Sequence, residues 1–167
     1  EITLPSVSDE GGAGNLSKDG TANCYIVSAD GHYSFDAVKG NSDEPVGEVA
    51  SVAVLWESTG TREYLSVGAL VQNPTYADGV VSFDVAKFKA GNAVIAAKDA
   101  SGNILWSWHI WLTDKPSKHT YNNGAGVMMD RHLGATSYQP GEVGSLGLLY
   151  QWGRKDPFLN SSRIDAC

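Results

Sequence analysis

The stretch "NILWSWHIWLTD", residues 103–114, holds three tryptophans within six positions, with a histidine among them. Side chains alternate between the two faces of a β-strand. On that reading Ile104, Trp106, Trp108, Ile110 and Leu112 share one face, and that face is uniformly apolar. Leu105, Ser107, His109, Trp111 and Thr113 share the other, which is mixed. The apolar set suits a core, so Trp106 and Trp108 are expected to be more buried than Ser107 and His109. Trp111 and His109 are left either facing solvent or lying under a later segment.

Working outward, "ASGN" (100–103) turns the chain back onto "AVIAAKD" (93–99), which predicts an antiparallel hairpin. Upstream, short β-prone segments recur at a regular pitch. They are "TANCYIVS" (21–28), "HYSFDAV" (32–38), "VASVAVLWES" (49–58), "REYLSVGALVQ" (62–72) and "VVSFDVAKF" (80–88). "KGNSDEPVGE" and "NPTYADG" read as loops. About seven strands in about 95 residues, with no helical pattern of any length, predict an all-β sandwich. Residues 1–20 are polar and glycine-rich and read as a flexible leader; residues 21–115 are the sandwich.

From Lys115 the pattern breaks. "KPSKHTYNNGAG" is a polar connection. "VMMDRHLGA" (127–135) and "LGLLYQWGRKDPF" (146–158) are apolar pieces separated by "TSYQPGEVGS". They are too short to build a core of their own. Residues 116–167 therefore form a C-terminal extension or a partial second domain. Val127, Met128, Leu133, Leu146, Leu148, Leu149, Tyr150, Trp152 and Phe158 are too apolar to leave in water, so this segment should dock on the sandwich. Trp111 and His109 are the expected landing surface.

Charge and motifs narrow the function. The net charge of −7, without a basic block, excludes a nucleic-acid-binding surface of the usual kind. No apolar run reaches the roughly 20 residues that span a bilayer. The first residues show no signal-peptide pattern. Two cysteines, Cys24 and Cys167, make no disulfide framework, and Cys24 reads as a small buried hydrophobe. None of His32, His109, His119 and His132 is followed closely by another His or Cys, so no metal site is expected. "DASGN" (99–103) lacks the remaining ligands of a calcium loop. No nucleophile elbow, zincin motif, P-loop or dinucleotide fingerprint is present. Asp43, Glu44 and Glu142 sit in loop-like contexts. No catalytic residue and no cofactor are assigned.

One polar constellation stands out: "QWGRKDPF" (151–158). Trp152 can stack on a sugar or peptide while Arg154, Lys155 and Asp156 hydrogen-bond to it. The structural alternative is an Arg154–Asp156 pair that fixes the turn before Pro157, with Asp130 and Arg131 joining the network. Trp111, Trp152, Arg154 and Asp156 are the candidate ligand-binding residues.

"TANCYIVSADGHYSFDAVKGN", "VASVAVLWES", "GNAVIAAKDASGNILWSWHIWLTD", "VMMDRHLGA" and "GLLYQWGRKDPF" together resemble a family of Bacteroidetes surface proteins, the fimbrillin-family or cell-adhesion lipoproteins. The resemblance covers most of residues 21–158. It implies an immunoglobulin-like antiparallel sandwich, followed by the start of a domain similar to the Fibrobacter succinogenes major paralogous domain. It further implies export to the cell envelope or outer-membrane surface, a lipid anchor upstream of residue 1, and a surface protein or glycan as partner. The expected role is non-enzymatic, in adhesion or fimbria-associated. The alternative is a carbohydrate-binding module of a surface glycan-handling system, or the non-catalytic part of a larger hydrolase.

Overall fold

The computed structural model describes residues 13–59 and 64–158. The described chain is essentially all-β, with one short 3-10 helix at Val143–Leu146. One mixed sheet has the order β1 (Ala13–Asn15), β3 (Gly31–Asp36), β7 (Val80–Val85), β6 (Gln72–Ala77). The second has the order β2 (Cys24–Val27), β9 (Ile104–Leu112), β8 (Gly91–Lys98), β4 (Ser51–Ser58), β5 (Tyr64–Leu65). A separate hairpin pairs β10 (Lys118–Thr120) with β11 (Val127–Met129).

The two large sheets face each other over one shared core. Tyr33, Phe35, Val81, Phe83 and Val85 come from the first; Tyr25, Val27, Ile95, Trp108, Ile110 and Leu112 come from the second. Their period-2 spacing is what sends them inward. Aromatic rings bridge the layers, with Phe35 5.0 Å from Trp108 and 5.0 Å from Tyr25, and within the first sheet Tyr33 lies 5.7 Å from its cross-strand partner Phe83. Those separations fit offset or tilted aromatic pairing.

The strand pairs are not all antiparallel. β2 runs parallel to β9, and β1 runs parallel to β3. β1 also lies inside the segment read as a leader, and Leu16 just after it is buried in the core. Residues 1–12 lie outside the described residues, as do 60–63 and 159–167 with Cys167.

Two loop and strand assignments change. "NPTYADG" is largely β6, despite Pro74. A proline is tolerated there because β6 is the sheet edge and the register skips between Gln72 and Thr75. Asn73, at φ +49°, sits in that bulge and donates from Nδ2 to Asp84 Oδ2 at 3.0 Å. Conversely, among the described residues of the expected strand 62–72 only Tyr64–Leu65 pairs with β4, and residues 66–71 form turns and bends. The cause is Glu57. Its fully buried carboxylate accepts the N–H groups of Ala69, Leu70 and Val71 at 2.8–3.0 Å, which curls that segment around it. Charge-assisted bonds of this kind are among the stronger ones.

Candidate functional site

The β8–β9 hairpin is set by its turn. The Asp99 carboxylate accepts from the backbone N–H groups of Ser101 and Asn103, and Gly102 supplies the φ of +84°. This fixes the register that puts Ser107, His109, Trp111 and Thr113 on the outward face of β9. All four are buried. The even residues behave as the alternation requires only in part: Trp108 is fully buried, whereas Trp106 is half-buried and Ile104 is 54 % exposed. The ordering of Trp106 against Ser107 and His109 is therefore reversed, because the C-terminal segment lies over the outward face.

That cover is polar and ordered. Each outward residue of β9 bonds to it in turn. Ser107 Oγ donates to Asp156 Oδ2 at 2.7 Å and accepts from Lys155 Nζ at 2.6 Å. His109 Nδ1 lies 3.2 Å from the Tyr150 hydroxyl. The Trp111 indole N–H donates to the Ala135 carbonyl at 2.9 Å. Thr113 Oγ1 accepts from Arg131 at 3.0 Å. The partners descend from 156 to 131 as the strand ascends from 107 to 113, so the segment runs back along β9. Apolar contacts fill the gaps: Trp111 packs with Ile26, Ala135, Leu133 and Met129. Where the two limbs of the segment cross, Gly134 at φ +81° leaves no room for a Cβ beside the Leu148 side chain.

Beneath Tyr150 lies a closed cluster. The Asn92 amide donates to the Gly134 carbonyl at 2.9 Å, so its Oδ1 faces His109 Nε2 at 2.8 Å. Nε2 therefore carries the imidazole proton, and Nδ1 is an acceptor. It receives the Tyr150 hydroxyl and faces Cys24 Sγ at 3.3 Å. Cys24, His109 and Asn92 thus stand in the order nucleophile, base, orienter. Their protonation is wrong for that chemistry. Burial pulls His109 down to about 3, against which nearby Asp156 works only weakly, and burial pushes the Cys24 thiol and the Tyr150 phenol up. A reactive cysteine needs a stabilised thiolate. This cluster holds three neutral groups and serves as a staple between sheet and cover.

A second network closes the other end. Arg131, almost wholly buried, binds Asp130, Asp114 and Thr113 with all five of its N–H donors. Hydrogen bonding to the guanidinium holds the Asp114 and Asp130 carboxyls below the ordinary range.

The residues singled out from sequence part company here. Trp111 is fully buried with its N–H satisfied, so it presents no ring face to a ligand. Asp156 takes Ser107 and Lys155, not Arg154. The Arg154 guanidinium instead lies 4.4 Å from the Phe158 ring centroid. Asp130 and Arg131 form their own network with Asp114, apart from Arg154–Asp156. Trp152 alone is fully exposed, at 101 %. Its neighbours in sequence Leu146 and Leu149 are also more than half exposed. Docking of the segment is therefore partial in its apolar residues. Sequence reasoning missed Asn92, took Tyr150 only as an apolar docking residue and placed Lys155 only in the ligand-binding rim; the one usable signal for Asn92 was the continuous burial-prone run of β8, which needs cover on both faces.

Compared with family models, with curated proteins and with solved structures, the chain finds no match in any of the three.

Proposed function

We propose that the protein is a non-enzymatic recognition module of an exported bacterial surface protein, built on an immunoglobulin-like sandwich. It acts in adhesion at the cell envelope or outer-membrane surface and engages a surface protein or a glycan. The sheet orders support the immunoglobulin-like reading. β3, β7 and β6 take the places of strands B, E and D, while β4, β8 and β9 take those of C, F and G. The sequence resemblance to fimbrillin-family lipoproteins supports the role and the location.

The observation that carries the reading is Trp152. Three tryptophans of β9 serve packing, wholly or in part, yet Trp152 stands entirely in solvent with Leu146 and Leu149 more than half exposed nearby in sequence. Tryptophan is enriched among the residues that anchor binding surfaces. Binding of the purified protein to a glycan array and to intact bacterial and epithelial surfaces tests this. Trp152→Ala should reduce binding at least tenfold with an unchanged melting temperature. Equal binding by both proteins would overturn the assignment of Trp152, and recovery of the native protein from the soluble cytoplasm would overturn the location. The same exposed ring also favours the second reading, a carbohydrate-binding module within a larger glycan-degrading protein, since aromatic faces stack on sugars.

A further inference from the structure

We infer that the C-terminal cover carries a second binding site, for one neutral pyranose ring, in the cavity beside Tyr138. This rests on the glycan-binding reading above and places a subsite apart from Trp152.

The cavity has a volume of about 280 Å³ and opens between the β10–β11 hairpin and the loop 137–145. Its walls include Met128, Met129, Asp130, Arg131, His132 and Tyr138. Tyr138 is half-exposed, and the Arg131 guanidinium carbon lies 5.2 Å from its ring centroid. Arg131 is itself fixed by two carboxylates and a hydroxyl, so the ring rests on an immobile support. A preorganised aromatic face loses little freedom when a ligand stacks on it.

The charges select the class of ligand. Arg131 would attract an anion, but all five of its donors are committed to Asp114, Asp130 and Thr113. On the wall itself Asp130 offsets Arg131, so the cavity offers an anion no net positive charge. A phosphate, a sialic acid or a uronic acid therefore finds neither a net attraction nor a free guanidinium fork. What remains open is hydrogen bonding of moderate strength. The His132 ring makes no hydrogen bond to another described residue, Asp130 keeps acceptor capacity, and Ser145 Oγ donates to the Glu142 carbonyl while its lone pairs stay open. One aromatic face, two thioether side chains and a few neutral or acceptor groups match a pyranose, which has an apolar C–H face and a rim of hydroxyls.

The sequence holds two methionines, and both line this cavity. Their ε-methyl signals in a [methyl-¹³C]methionine sample therefore report on this site in the unaltered protein. The methyl α-pyranosides of glucose, galactose and mannose are titrated, with glucuronate as the charged control, and calorimetry runs in parallel on the same samples. At least one neutral glycoside should move both methyl signals saturably, and Tyr138→Ala should weaken it at least tenfold while Tyr138→Phe keeps it. Glucuronate should leave both signals in place. Calorimetric binding of a glycoside with both methyls unmoved, or glucuronate binding as tightly as a neutral ring, would overturn this site and leave the glycan reading standing. Absence of any saccharide binding by either method would overturn both together.

Discussion

The indole N–H of Trp111 donates to the carbonyl of Ala135 at 2.9 Å, and both residues are fully buried. This bond joins the last strand of the sandwich to the segment that follows it, across 24 residues of chain. It explains why a tryptophan on the outward face of a sheet is not a ligand platform. Trp111→Phe keeps most of the ring and leaves the Ala135 carbonyl buried without a donor. The expected loss is about 1–3 kcal/mol, read by denaturant unfolding. A loss near zero would mean that water or a rearranged chain serves the carbonyl.

Removal of residues 116–167 strips the cover from Ser107, His109, Trp111 and Thr113 together. The truncated protein should melt lower, bind a dye specific for exposed apolar surface, and show red-shifted tryptophan emission. An unchanged melting temperature would show that the cover adds nothing to the sandwich.

His109 gives the cover a pH signature. Its folded value is about 3, depressed from an ordinary 6.5. The unfolded chain therefore binds a proton that the folded chain refuses between those limits. The stability contribution is complete above about pH 6.5, declines as pH falls toward 3 at up to about 1.4 kcal/mol per unit, and is flat below. Unfolding of wild type and His109→Gln across pH 7 to 4 measures the difference. Parallel curves for the two proteins would place the pH dependence on other groups.

The faces of β9 were readable from sequence because Trp108, Ile110 and Leu112 keep strict alternation with apolar partners in Ile95 and Ala93. The burial of Ser107 and His109 was not. Nothing local to a serine or a histidine says that Asp156 and Tyr150 will arrive from 49 and 41 residues away. Landing on Trp111 was foreseeable because its face adjoins an apolar segment with no core of its own. The polar partners depended on where the segment crosses itself at Gly134 and Leu148, a long-range feature. Likewise Pro74 argued against a strand by its own chemistry, and only the edge position and bulge of β6 reconcile it.

Arg131 should resist conservative replacement. Arg131→Lys keeps the charge but cannot serve two carboxylates and Thr113 at once. The expected loss is about 2–3 kcal/mol, discounted because Asp114 is largely exposed. Arg131→Lys at wild-type stability would show that the network is ornamental.

Trp108 and Trp106 should separate on truncation. Trp108→Ala empties a fully buried site and should cost about 3–5 kcal/mol. Trp106 is half-buried, with Lys155 Nζ 4.6 Å from its ring centroid, and Trp106→Ala should cost about 1–2 kcal/mol. Equal losses would contradict the burial of the two rings.

The parallel pairing of β2 with β9 has a mechanical consequence. Tension applied ahead of β2 and beyond β9 pulls these neighbouring strands in opposite directions along their shared axis. Their bonds, from His109 N–H to the Asn23 carbonyl at 2.8 Å through to Thr113 N–H on the Val27 carbonyl at 3.0 Å, are then loaded in shear and must yield together. An antiparallel pair loaded at one end would unzip bond by bond. A tether loaded through β2 and β9 resists stretching at that pair, and the core behind Trp108 opens only after the clasp has slipped.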